Sequence, residues 1–223
     1  MLGGATAAPV PQFQAAGTLV QGSGNISPAW PAHAANDIGL LFVVSANQAV
    51  ATPDTWNAVT NGSQGVGTGG SAGTATRLQV FWRRATTAAE AAAAVLDGGV
   101  RQGGVILTFR GCVAVGDPVN ISAGDATANA NTTAVAIPGA TTTLDRCLVV
   151  AAASNYLGAN TQTGETNASL ANLAERFDNG TGIEFVTVVT GVKAAAGTYS
   201  TTTATLSGGG SKQGRVSLAL IPA

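Results

Sequence analysis

This sequence is short of charge. Ten Lys+Arg and eleven Asp+Glu among 223 residues make 9% of the chain charged, against roughly 25% in ordinary soluble domains. The net charge is -1, and no basic stripe exists to neutralise phosphates, so nucleic acid is not an expected partner. One histidine and two cysteines leave little that takes up or releases a proton near neutrality. Long apolar runs are missing too. The longest, Ile38–Val44 and Leu148–Ala153, are strand-length, well short of the roughly 20 residues of a spanning helix, so no membrane is expected. The start, MLGGATAAPVPQF, has neither the basic opening nor the apolar core of a signal peptide. Pro9 and Pro11 disfavour helix there, and residues 1–16 are expected to form an extended N-terminal arm.

With so little charge, the surface must be built from Thr, Ser, Asn, Gln, Gly and Ala. Such a surface repels its neighbours weakly, which favours close association with other subunits. Composition therefore points to an assembly subunit, a homo-oligomer. Cys112 and Cys147 lie in apolar strand-like runs, FRGCVAV and DRCLVVAAA. Two buried thiols are the simplest reading, and a disulfide would require neighbouring strands and an oxidising compartment. Without CxxC spacing a metal site is not expected.

Short β-branched or aromatic runs recur along the chain, at Gly17–Gln21, Ile38–Ser45, Arg77–Arg84, Gly104–Cys112, Val119–Ser122, Thr133–Ile137, Arg146–Ala153, Ile183–Thr190, Gly197–Leu206 and Arg215–Ile221. Gly, Pro, Asn and Ser clusters separate them. The pattern predicts an all-β fold, an antiparallel β-sandwich of jelly-roll-like type, over residues 17–223 as one domain. Two stretches read as short helices in connections: the Ala-rich Thr86–Leu96, and Asn167–Phe177 with Leu170, Leu173, Ala174 and Phe177 on one face. Gly-rich spans at 61–74, 122–133 and 207–214 read as loops. LLFVVSAN and CLVVAAASN echo each other, as equivalent strands in two halves of a sandwich rather than a true repeat.

No chemistry is advertised. His33 and Asp37 are four residues apart and would be a base with its orienting carboxylate, yet no GxSxG elbow accompanies them. GVGTGGSAGT lacks the Lys of a phosphate loop and reads as a hairpin tip. No DxE or ExE spacing marks a pair of catalytic carboxylates. Asp117, Asp125 and Asp178 lie in loops where oxygens could hold calcium, but without EF-hand spacing. Trp30, Trp56 and Trp82 could form a sugar-stacking platform; Trp82 reads as core, Trp56 as a turn residue and Trp30 as a plug. Asn-x-Ser/Thr triplets are what a chain rich in Asn, Ser and Thr produces by chance. No catalytic, cofactor-binding or metal-ligating residue is therefore assigned, and no cofactor is expected.

DIGLLFVVSANQ, TPDTWNAV, TRLQVFWRRA, GGVILTFRGCVAVGDPVN and TTTLDRCLVVAAAS, in that order, resemble a group of virion structural proteins of tailed bacteriophages. The family shows an AGDLLL-type strand, a P-x-GW turn, a VFW-R/K strand, an AYRGV-type strand followed by Pro, and a D-x-L-V-LA strand. These fall at Asp37–Val44, Pro53–Trp56, Val80–Arg84, Thr108–Val113 with Pro118, and Asp145–Ala152. Asn36 stands where the Gly of the first motif often falls, and Thr55 replaces the Gly before the Trp. The resemblance covers most of 37–222 and implies a non-enzymatic virion subunit assembled in the host cytoplasm. A head decoration or cement protein on the major capsid protein is the first expectation, with a trimer the habitual oligomer. A tail or baseplate subunit touching host or adaptor is the second, and a carbohydrate-binding module for host-surface glycan the third.

Overall fold

A computed structural model describes residues 8–46, 48–65, 76–96, 101–125, 132–155, 160–179, 185–210 and 212–223. In chain order the strands are β1 (Gln12–Ala16), β2 (Val20–Gly22), β3 (Ile38–Ser45), β4 (Asn57–Gly65), β5 (Arg77–Arg84), β6 (Gln102–Arg110), β7 (Val119–Asp125) and β8 (Ala134–Ile137). They continue as β9 (Ala140–Thr142), β10 (Cys147–Asn155), β11 (Gln162–Thr166), β12 (Ala171–Asp178), β13 (Phe185–Lys193), β14 (Gly197–Tyr199), β15 (Thr202–Leu206) and β16 (Gln213–Leu220).

Two antiparallel sheets form the body. The first runs β1-β6-β3-β5-β4, with β2 also paired to β6; the second runs β12-β13-β10-β16-β7. Their facing sides share one apolar cluster: Ile38, Leu40 and Phe42 from β3 lie among Leu148, Val150 and Ala152 from β10 and Val216 and Leu218 from β16. The outer sides are covered as well. Ile26, Val50, Trp56 and Val95 lie over Leu41, Val43, Phe81 and Ile106 of the first sheet. Over the second sheet lie the small sheet β11-β15-β8 and the pair β9–β14, through Val135, Ile137, Leu206 and Tyr199. Central strands buried on both faces need no polar alternation, which is why IGLLFVVS and CLVVAAASN are buried at every position. Cutting Phe42 back to Ala would open a cavity costing about 3–5 kcal/mol.

The all-β architecture of packed antiparallel sheets agrees with the sequence reading, and three details differ. First, no helix occurs among the described residues. In 86–96 the Glu90 carboxylate binds the Thr86 and Thr87 N–H groups, and Ala93 and Val95 donate to Pro28 and Ile26 carbonyls. These partners outside the segment compete with the ladder a short helix would need. In 167–177 the Asn167 side chain caps a tight turn onto Ser169 N–H, and the chain then runs along β13 as β12. Asn172, at φ 53, is incompatible with a helix. Second, Gln12–Ala16 of the expected arm is an edge strand paired to β6. Third, each large sheet takes its strands from one half of the chain, rather than alternating as a jelly roll does. Of the expected loops, 61–65, 122–125 and 213–214 belong to β4, β7 and β16; 66–74, 126–131 and 211 lie outside the described residues.

Candidate functional surface

The side chains with the most chemical potential collect where the chain enters β3. Asp37 is only 1% exposed. Its Oδ1 accepts from Arg110 Nε at 2.8 Å, and its Oδ2 accepts from Arg110 Nη2 at 2.7 Å and from the Ala34 N–H at 2.8 Å. That carboxylate is fully engaged in a two-pronged ion pair that ties the start of β3 to the end of β6. His33 is not its partner. The ring sits at 2.7 Å from the Pro31 carbonyl through Nδ1, while Nε2 accepts the Glu90 N–H at 3.3 Å. Both ring nitrogens are thus engaged with backbone groups of the same corner. The expected His–Asp pairing does not form.

Glu90 closes this corner. Its Oε2 meets Arg83 at 2.5 Å, and its Oε1 takes Thr86 Oγ1 at 2.7 Å and Thr87 N–H at 3.0 Å. Burial works to raise this carboxyl, but the Thr86 and Thr87 hydrogen bonds and the Arg83 charge outweigh it and hold Glu90 below its usual range.

Beside this corner the indole of Trp30 covers Gly39 on the outer face of the first sheet. A Cβ at Gly39 would fall 2.4 Å from the Trp30 ring, so only glycine fits under it. Trp30 also stacks against Trp56, centroids 5.4 Å apart, and His33, 4.9 Å apart. A groove of about 470 Å³ runs past it, between Gly17, Thr18 and Val20 on one side and Ala29 and Trp30 on the other. Every side chain lining it is non-ionisable. It can receive an apolar segment, and it offers nothing that moves a proton. Trp56 is buried, and Trp82 packs partly buried at the margin of the inter-sheet cluster. The three tryptophans thus do not share an exposed face for sugar.

The three loop aspartates do not meet. Asp117 Oδ1 caps the Val119 N–H at 2.9 Å, Asp125 pairs with Arg215 at 3.2 Å, and Asp178 Oδ2 takes the Gln162 N–H at 2.9 Å. Asp178 and Asp125 end the two opposite edge strands of the second sheet, joined across one row by Thr187, Ala153 and Arg215. Four strand spacings put them roughly 19 Å apart. Among the described residues no three His, Cys, Asp or Glu side chains gather as a metal site. Both cysteines are free and buried, Cys112 between the sheets and Cys147 under Tyr199. Burial pushes the Cys112 thiol up to about 12.

Sequence reading missed Arg110 as the partner of Asp37. The two are 73 residues apart, and only the pairing of β3 with β6 brings them together. It also missed that Asn36 and Thr55 both have left-handed backbone, φ 71 and 69. Comparison with protein-family models, with characterised proteins and with solved structures finds no match to this chain.

Proposed function

We propose that this chain is a non-enzymatic structural subunit of a tailed-bacteriophage virion, a decoration or cement protein of the head. The observation that carries the reading is the backbone at Asn36 and Thr55. At two places where the phage motif calls for glycine, this chain keeps the left-handed conformation that glycine serves, though it carries other side chains there. A β-branched Thr at φ 69 is costly, and its presence supports a retained framework rather than a chance run of similar letters. The motif segments also fall on framework: DIGLLFVVS is the start and body of β3, VFWRR ends β5, TFR ends β6 and DRCLVVAA enters β10. The ionisable groups around His33 are occupied by one another, which suits a scaffold better than a catalyst.

Immuno-gold labelling of purified particles, with an antibody to this chain, tests the proposal. Gold spread over the heads is the expected result. Gold confined to the tail or neck would overturn the head assignment. Unlabelled particles, with the protein free in the lysate, would overturn the virion role altogether.

A further inference from the structure

We infer that the chain is a tandem duplication: two copies of one five-stranded unit, residues 10–111 and 118–223, each of whose inner faces is a surface made to receive another copy of that unit. The inference is independent of the proposed role. Each unit builds its own sheet in the same order. Its first strand (β1 or β7) pairs with its last (β6 or β16), the last with the central one (β3 or β10), and the central one with the second strand of a hairpin (β5 or β13). The first hairpin strand (β4 or β12) lies at the far edge.

The connections correspond too. In each unit the stretch before the central strand and the stretch before the last strand meet antiparallel on the outer face. They meet as Ile26 with Val95 in the first unit, and as β8 with β15 and β9 with β14 in the second. The stretches before the central strands, 17–37 and 126–146, are equal in length.

Register carries the equivalence to single residues. Gln102-Gly103-Gly104-Val105-Ile106-Leu107 opens β6, and Gln213-Gly214-Arg215-Val216-Ser217-Leu218 opens β16. Both glutamines are buried, and each pairs with the last residue of its central strand, Ser45 or Asn155. In β1 and β7 the ladders set Phe13, Ala15 and Ala16 opposite Phe109, Thr108 and Leu107, and Val119, Ile121 and Ser122 opposite the equivalent Leu220, Ala219 and Leu218. Just before the central strands, Asn36 and Arg146 both have left-handed backbone and donate to Ala85 and Ala194, at 2.8 and 2.9 Å.

The units meet reciprocally, as in a two-fold dimer, where patch i meets j and j meets i. β4 of the first lies against β7 of the second, with Asn61 Nδ2 donating to the Ser122 carbonyl at 3.3 Å. β12 of the second lies against β1 of the first, with the Arg176 guanidinium 5.1 Å over the Phe13 ring. The two ends of the pair adjoin its junction. Ala223 N–H donates to the Gly111 carbonyl at 2.9 Å, and Pro11 lies beside Gly111.

A protease site inserted beside Val115, which is 79% exposed in the junction, tests this in the full chain. After cleavage, denaturation and refolding, the two halves are expected to elute together as a 1:1 complex, at the volume and with the far-ultraviolet spectrum of uncut protein. A circular permutant starting at Asp117 and ending at Gly116, with residues 1–9 joining Ala223 to Val10, is expected to unfold in one cooperative step like the parent. Halves that stay apart when the uncut control refolds would overturn the inference, as would a permutant lacking the parent spectrum.

Discussion

Gln79 closes both backbone hydrogen bonds of Val50. Its Oε1 accepts the Val50 N–H at 2.6 Å and its Nε2 donates to the Val50 carbonyl at 3.0 Å, both out of contact with water. A side chain thereby stands in for a missing strand, fastening residues 48–56, and Trp56 with them, to β5. Gln79→Leu keeps the volume and deletes both bonds. Orphaning two buried backbone groups is expected to cost on the order of 2–4 kcal/mol, read as a lower urea midpoint at unchanged slope.

Thr55 is exposed, β-branched and at φ 69. Thr55→Gly is expected to stabilise by about 1 kcal/mol, because relief of the left-handed strain exceeds the entropy of the freer unfolded chain. Thr55→Val should bring no gain. Thermal melts of the two variants decide this, and a destabilised T55G would count against retained framework at this turn.

Asp178 titrates high, at about 6. Burial is the largest cause, opposed by the Gln162 N–H and reinforced by the Glu175 and Glu165 charges. A folded value above the unfolded one means that the native state holds the proton more tightly. The group therefore supports folding fully below about pH 4, and that support is lost as pH rises through about 6. Asp178→Asn is expected to gain on the parent across this window. The check is the difference in urea midpoint between the two proteins at pH 4, 5, 6 and 7.5; a constant difference would contradict it.

Gly39→Ala should dislodge Trp30, since the added methyl would enter its ring. A red-shifted tryptophan emission and a lower melting temperature are the expected readouts. An unshifted spectrum would mean that the ring slides aside at no cost.

Cys112 and Cys147 should be silent to a thiol reagent in the native protein, being buried and free, and both should react in concentrated guanidinium. Rapid native labelling of either would contradict their places in the core.

β3 was legible because both its faces are apolar, and β5 because Leu78, Val80 and Trp82 alternate with Gln79 and Arg83: Ile38–Ser45 and Arg77–Arg84 match their predicted bounds. β4, β11 and β12 were not. NAVTNGSQG and QTGET carry few apolar residues, and their identity as strands comes from a neighbour's free edge rather than from their own letters. Leu170 and Leu173 imitated a helical stripe, yet they close over Gly191 of β13. The echo of LLFVVSAN in CLVVAAASN was visible. Its extension to whole units was not, because equivalence lies in register and backbone conformation and few side chains still repeat it. The His33 corner was half visible: the residues stood out, but their partners Arg110 and Glu90 arrive through long-range pairing.

Scarcity of charge has a last consequence. Among the described residues, what holds the layers together is apolar contact and hydrogen bonds among Thr, Ser, Asn and Gln, with ion pairs such as Asp37–Arg110 at a few joints. Dissolved ions screen the latter kind of force and leave the former nearly untouched. A fold held in this way is expected to keep its shape while the ionic strength, and with it the Debye length, changes several-fold around it.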